Sequence, residues 1–329
     1  MKIWLTNGLI LLTVRETDKL VNKALFVIAV LLFFVVYSCS ETEVTAVEED
    51  NDLYLHVLAT DSSNFTQARF ALHVPENADR IRAIFIIVPG MNYDGRSFKD
   101  VPSYKNFAEE NNFAIISCFF QGDDYHEYWK AEGGSGNALK KVIEEFASRS
   151  ERNELSTCPL IIWGHSAGGQ FAFSFTALNP ERVAACATVR SGSFTTSPKE
   201  GIYDVPVLFL LGEYDVVQWN ETAINLCKIN RRLGAKWTYA IEPEAGHEIL
   251  YSNFVAFPFL RQSLDLRLQS AEPEYNNLIV LNETSGYLGN YSTFSVSSYY
   301  SYSGYKLEAA WLPDSLVADK WKNYCKGSF

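Results

Sequence analysis

Five runs of apolar residues, at 113–119, 160–164, 183–189, 205–211 and 236–241, constrain the fold of this 329-residue chain more than any other feature. Each is short and almost uniformly apolar, the pattern of a strand covered on both faces. Stretches of helical character lie around them, near 102–111, 135–149, 167–178, 219–233 and 249–268. Strand and helix alternating at this spacing predict an α/β architecture, a mostly parallel central sheet flanked by helices. Three earlier segments, 53–59, 67–74 and 82–88, complete the strand set. The first two are more mixed and nearly adjacent, as an antiparallel hairpin at the edge of the sheet would be. With 47% of residues apolar, the chain can fill one large core or two modest ones.

The two ends have a different character. Lys19 and Lys23 precede fourteen uncharged residues, Ala24 to Tyr37, followed by Ser38-Cys39-Ser40. That run is short for a membrane-spanning helix and suits the apolar segment of an export leader. A small residue before a cysteine predicts a lipoprotein leader over 1–39 with Cys39 as the lipidated residue. The destination is then periplasmic or cell-surface, with plain secretion and a retained anchor as alternatives. Membrane contact is expected through the leader or its lipid only. Residues 40–52, rich in Glu and Asp, are expected to be an acidic tether. The α/β domain is expected over 53–269 and a C-terminal extension, packed on it, over 270–329. The extension carries Tyr275, Tyr287, Tyr291, Tyr299, Tyr300, Tyr302 and Tyr305 among serines and glycines. In it, Pro313 is expected at the first position of a helix with apolar or aromatic residues at 316, 317, 321 and 324.

Composition narrows the partners. Lys plus Arg number 28 against 39 Asp plus Glu, a net charge of −11, with no basic run, so no nucleic-acid partner is expected. The five cysteines after Cys39 match no metal spacing, and with five histidines in the chain a structural zinc site is not expected. An exported chain permits disulfides, but the spacing names no pair. Cys118 and Cys186, in apolar segments, are expected to be buried. The stretch "GGSGNA" (133–138) follows no strand and lacks the last glycine of a dinucleotide loop, so it is expected to start a helix. No cofactor or metal is implied.

The chemistry is concentrated at "LIIWGHSAGGQF", 160–171. Gly164-His165-Ser166-Ala167-Gly168 lies between an apolar strand and a helix, where glycines on either side let a serine sit at a sharp turn. A serine hydroxyl needs a base, and the base needs an orienting acid. "VPVLFLLGEYD" ends in Glu213 and Asp215, and "YAIEPEAGHEIL" carries His247; both follow strands, at the sheet end where functional loops collect. Ser166, Asp215 and His247 are therefore the expected nucleophile, acid and base, with Glu213 the rival acid. Two amides must stabilise the oxyanion: Ala167 N–H at the helix start, and Met91 N–H after "AIFIIV", with Asn92 as alternative. In the loop 121–134, Tyr125, His126, Tyr128 and Trp129 are candidates for the pocket wall, Tyr125 and Trp129 foremost.

Over residues 65 to 268 these features resemble the α/β-hydrolase superfamily, on "GHSAGG", the aspartate after "LFLLGEYD", and "AGHE". A His-Gly pair often precedes the oxyanion residue there; here it is Pro89-Gly90. The tail, with "GYLG" and "AAWLPD", resembles a C-terminal extension of sparsely characterised secreted bacterial members. The resemblance implies an α/β-hydrolase fold and a range from esterases, lipases and polyester depolymerases to peptidases and a few lyases. The expected activity is hydrolysis of a small or medium carboxylic ester, with carbohydrate and aromatic-acid esters as options. The rivals are a serine peptidase on the same fold, and a surface glycan-binding protein with a vestigial triad.

Overall fold

A computed structural model describes residues 47–329 other than 52, 124 and 195–198. The expected leader, Cys39 and the first part of the tether lie outside the described residues. The chain runs β1 (Val47–Asn51), β2 (Tyr54–Val57), β3 (Gln67–His73), β4 (Ala83–Val88), α1 (Pro102–Asn111), β5 (Phe113–Gln121) and α2 (Ser135–Arg149). It continues through β6 (Leu160–His165), α3 (Ala167–Leu178), β7 (Val183–Val189), β8 (Val207–Gly212), α4 (Val217–Arg232), β9 (Trp237–Glu242) and α5 (Asn253–Arg267). The extension holds β10 (Tyr287–Gly289), β11 (Val296–Ser298), β12 (Ala310–Leu312) and α6 (Ser315–Cys325).

Strands β1 to β9 form one sheet in the order β1-β2-β3-β5-β4-β6-β7-β8-β9. From β5 to β9 every neighbouring pair is parallel, while β1, β2 and β3 join antiparallel. The edge is thus a three-strand meander: Val47–Asn51, counted with the tether by composition, pairs with β2. Acidic residues do not prevent a strand at a sheet edge, where charge is the usual defence against further pairing.

Alternation along β4 sends Ile84, Ile86 and Val88 to one face and Phe85 and Ile87 to the other. The first face packs on α2 and α3 through Leu139, Ile143, Phe171 and Phe175. The second packs on α1 and α5 through Tyr104, Phe107, Phe259 and Leu260. Each such buried side chain contributes about 2 kcal/mol. Cys118, Cys158, Cys186, Cys227 and Cys325 are all buried and unpaired. Burial pushes the thiols of Cys158, Cys186, Cys227 and Cys325 up to about 12, so they stay protonated and inert. Gly134, with φ of 116°, makes the turn into α2, the role expected of the glycine-rich stretch.

The extension shares the core of the sheet. Ala310, Leu312, Val317 and Trp321 are fully buried in the same cluster as Phe85 and Leu208. Its residues also close the free edge of β9. Tyr239 N–H donates to Tyr291 Oη (3.3 Å), and Trp321 Nε1–H donates to Tyr239 O (2.8 Å). The rings of Tyr239 and Tyr291 stack at 3.9 Å. Arg231 of α4, 1% exposed, ties the tail down by donating to Ala309 O (2.9 Å), Lys306 O (3.0 Å) and Glu283 Oε1 (2.5 Å). Helix α6 corrects one expectation: Asp314 is the cap, its carboxylate accepting from Val317 N–H at 2.8 Å, so Pro313 precedes the helix. An aspartate satisfies an orphan amide, which a proline cannot do. The face that faces inward is Val317, Ala318, Trp321 and Tyr324, whereas Leu316 is 46% exposed.

Candidate active site

Ser166 occupies the single residue between β6 and α3, with φ 55° and ψ −123°. Such a backbone costs about 1–3 kcal/mol for a residue with a side chain and persists only when its surroundings enforce it. Steric contacts do so here. A methyl group on Gly164 would lie 2.1 Å from Gly168 O, and one on Gly168 would lie 2.2 Å from both Pro89 O and Val88 O. Only glycines let helix α3 start against the ends of β4 and β6. Ser166 N–H donates to Val189 O (2.9 Å), and the Ser191 hydroxyl donates to Ser166 O (2.7 Å), which fixes the peptide on both sides.

The structure brings Ser166, His247 and Asp215 together. His247 Nδ1 lies 3.0 and 3.1 Å from Asp215 Oδ1 and Oδ2, and its Nε2 lies 2.9 Å from Ser166 Oγ. The carboxylate can only accept, so Nδ1 carries the proton and Nε2 is left to accept from the serine hydroxyl. The Asp215 side chain is 2% exposed, that of His247 42%. Asp215 follows β8 in a turn, where its Oδ1 also accepts from Val216 N–H (2.8 Å). Glu213 faces solvent, and its carboxylate accepts from Glu244 N–H (2.8 Å), so the rival acid has a partner away from His247. The two loops are joined through their backbones, Tyr214 N–H donating to Ala245 O at 2.8 Å.

His165 has a role that its place in the turn did not reveal. Its Nε2 lies 2.8 Å from His247 O, and a carbonyl can only accept, so Nε2–H donates. Burial holds the His165 pKa below the ordinary 6.5, with the carbonyl of His247 opposing that shift. The indole of Trp219 stands 5.3 Å from the His247 ring on another side.

Above Ser166 lies a cavity of about 410 Å³, lined by Pro89, Gly90, Met91, Tyr93, Phe98, His165, Ser166, His247 and Ile249. Its walls are apolar away from the serine and the two histidines. Phe98 stacks on the buried Tyr104 at 5.3 Å, which anchors that wall to the core. Met91 N–H and Ala167 N–H donate no hydrogen bond among the described residues, whereas Asn92 N–H donates to Tyr128 Oη (3.3 Å). The Asn92 side chain exchanges two bonds with Gly122, Nδ2–H to Gly122 O (3.1 Å) and Gly122 N–H to Oδ1 (3.0 Å). Of the two candidate donors after β4, Met91 is therefore the available one.

Tyr125 and Trp129 do not line this cavity. Tyr125 is 77% exposed, and Trp129 packs against the core. His126 N–H donates to Asp123 O (2.9 Å), and Tyr128 is the loop residue that reaches the β4 turn. None of the tail's tyrosines lines the cavity either. Among the described residues no group of three His, Cys, Asp or Glu side chains is placed to hold a metal ion.

No family model matches the sequence, and no curated protein matches it. Solved structures are similar over most of the sheet domain. A poly(3-hydroxybutyrate) depolymerase from Bordetella parapertussis aligns at 14% identity and TM-score 0.45, over 70% of this chain and 92% of that one. An S-formylglutathione hydrolase from Agrobacterium tumefaciens aligns at 12% identity and TM-score 0.47, over 67% and 98%. An acetyl xylan esterase from Aspergillus awamori aligns at 12% identity and TM-score 0.44, over 59% and 93%. These are likenesses of overall path, and the site stands on its own geometry. With its strand order, its serine at the turn from β6 to α3, and its acid and histidine on the loops after β8 and β9, the chain has an α/β-hydrolase fold with a C-terminal extension.

Proposed function

We propose that this protein is a serine hydrolase that cleaves a carboxylic ester through an acyl-enzyme. The observation that carries the reading is the hydrogen-bonded chain from Ser166 Oγ through His247 to Asp215, on a serine held at a strained turn. As Ser166 Oγ attacks the ester carbonyl, His247 Nε2 takes its proton, and Asp215 stabilises the imidazolium through Nδ1–H. The free amides of Ala167 and Met91 serve the oxyanion, each donor worth about 3 kcal/mol of barrier. Collapse passes the proton from His247 to the departing alcohol oxygen. Water then attacks the acyl-enzyme with His247 again as base, releasing the acid and restoring the Ser166 hydroxyl. The apolar walls around Met91, Tyr93, Phe98 and Ile249 suit an aliphatic or aromatic acyl group of modest size. A carbohydrate, if present, belongs on the alcohol side. We place this activity outside the cytoplasm on the strength of the leader read in residues 1–39.

The test is labelling with a fluorophosphonate. The folded protein should be labelled, and Ser166→Ala should abolish labelling and lower kcat by about 10⁶-fold. Folded protein that resists the reagent overturns the reading. A panel of short-acyl, long-acyl, feruloyl and peptide substrates then separates esterase from peptidase, and a preference for amides over every ester overturns the first.

A further inference from the structure

The loop between β9 and α5 that carries His247 is anchored from beneath by a buried polar group that no part of the proposed chemistry uses. Arg190 follows Val189, the residue whose carbonyl holds the Ser166 amide. Its side chain is fully buried, and Nε–H donates to Glu248 O (3.1 Å), the carbonyl immediately after His247. The guanidinium also donates to Glu242 Oε2 (2.5 Å) and to Tyr324 Oη (3.3 Å). Tyr324, on α6, donates its own hydroxyl proton to the same Glu242 oxygen (2.8 Å). The remaining Glu242 oxygen accepts from Tyr251 N–H (3.4 Å), and the Ser252 hydroxyl lies 3.3 Å from Tyr324 Oη. Phe329 stacks on Tyr251 at 4.1 Å, continuing the contact past α6.

We infer that Tyr324 is a positioning residue for His247, acting through Arg190 and Glu242, so that the C-terminal extension sets the geometry of the base. This rests on the reading of Ser166, His247 and Asp215 as the reacting groups. The Tyr324 hydroxyl accepts from one guanidinium nitrogen and donates to the carboxylate that another nitrogen meets. It thereby fixes the rotation of the guanidinium and keeps Nε–H aimed at Glu248 O. A planar donor fork is the group that can meet a carboxylate, a phenol and a main-chain carbonyl in one fixed arrangement. Arg190 also joins the two halves of the site, since it follows Val189, whose carbonyl holds the Ser166 turn, and its side chain holds the histidine loop. For mere stability, apolar side chains would serve a buried cluster as well. An arrangement ending on the carbonyl next to the base has a geometric consequence instead, because small misplacements of a reacting group are costly.

The experiment is Tyr324→Phe in the full chain, which keeps the ring and deletes the hydroxyl. Hydrolysis of p-nitrophenyl butyrate, the rate of fluorophosphonate labelling and the thermal midpoint are measured together. The expected result is a kcat about ten-fold lower, KM within about two-fold, and labelling slowed in parallel, well below the midpoint. A lowered midpoint with kcat and labelling unchanged makes Tyr324 structural only and overturns the inference. Should Tyr324→Phe not fold, Ser252→Ala and Phe329→Ala decide, each expected to lower kcat about three-fold at unchanged KM; unchanged kcat in both overturns the inference. If the parent is not labelled at all, the serine-hydrolase reading fails. If the parent is labelled through Ser166 and the variants match it, the positioning role alone fails.

Discussion

Ser166 and His247 stand 2.9 Å apart, yet they are held in place by different means. The serine turn is built from backbone. Glycines at 164 and 168 allow main chains to touch, and no other residue type fits those contacts. The histidine loop is built from side-chain contacts: His165 and Arg190 arrive from far along the chain on the carbonyls of His247 and Glu248, and Glu242, at the end of β9, meets the amide of Tyr251. The contrast teaches that one half of the site is a steric object and the other a polar one. A steric object should fail all at once when crowded, and a polar one should weaken in steps.

Gly168→Ala is the largest break. Its new methyl would lie 2.2 Å from two carbonyl oxygens that cannot move without disturbing β4. Overpacking against flexible side chains costs about 1–3 kcal/mol, and here the obstacle is backbone. Little or no folded protein is expected on expression, as read by soluble yield and circular dichroism; normal folding would refute the steric account of the turn. Asp215→Asn comes next. The fold should remain, while kcat falls by about 10⁴-fold because the wrong imidazole tautomer is stabilised. Glu213→Gln is the matched control, expected to leave kcat within about two-fold, and equal losses at both positions would contradict the assignment of the acid. The smallest effect belongs to His165→Gln, whose amide can still donate to His247 O. Burial holds His165 below 6.5, so the unfolded chain takes up a proton that the folded one resists, and stability falls as pH drops beneath that value. The fall in thermal midpoint from pH 7 to pH 5 should be smaller in the variant than in the parent. His73, lowered chiefly by burial and with Lys105 adding to the shift, keeps its own share of that slope in both proteins.

This division also explains what could be read beforehand. Helices 102–111, 135–149 and 167–178 were legible because each starts at a local signal: Pro102, the glycines before Ser135, and the turn at Ser166. The turn at Ser166 was legible because steric rules act over five residues. Asp215 and His247 were legible because strands announce where the loops at the sheet's end must fall. The helix expected from 249 begins at Asn253, since residues up to Ser252 are drawn into the histidine loop by distant partners. Tyr125 and Trp129 were misplaced because the path of a loop depends on partners such as Asn92, about thirty residues away. Arg190 and Glu242 lie 52 residues apart, and composition counts both as surface charge. A signal was present, though: "VAACATVR" and "WTYAIE" are buried strands that run straight into charges of opposite sign. Such charges seldom lie buried without each other.

The closing of β9 by Tyr291 and Trp321 has a consequence for self-association. An edge strand with its amides and carbonyls free is a template on which another copy of the chain can add a strand. Here a phenol and an indole occupy the amide and carbonyl of Tyr239, and a side chain cannot be extended into a second sheet. The aromatic tail thus blocks strand addition at Tyr239, and losing it would leave that backbone open to another strand.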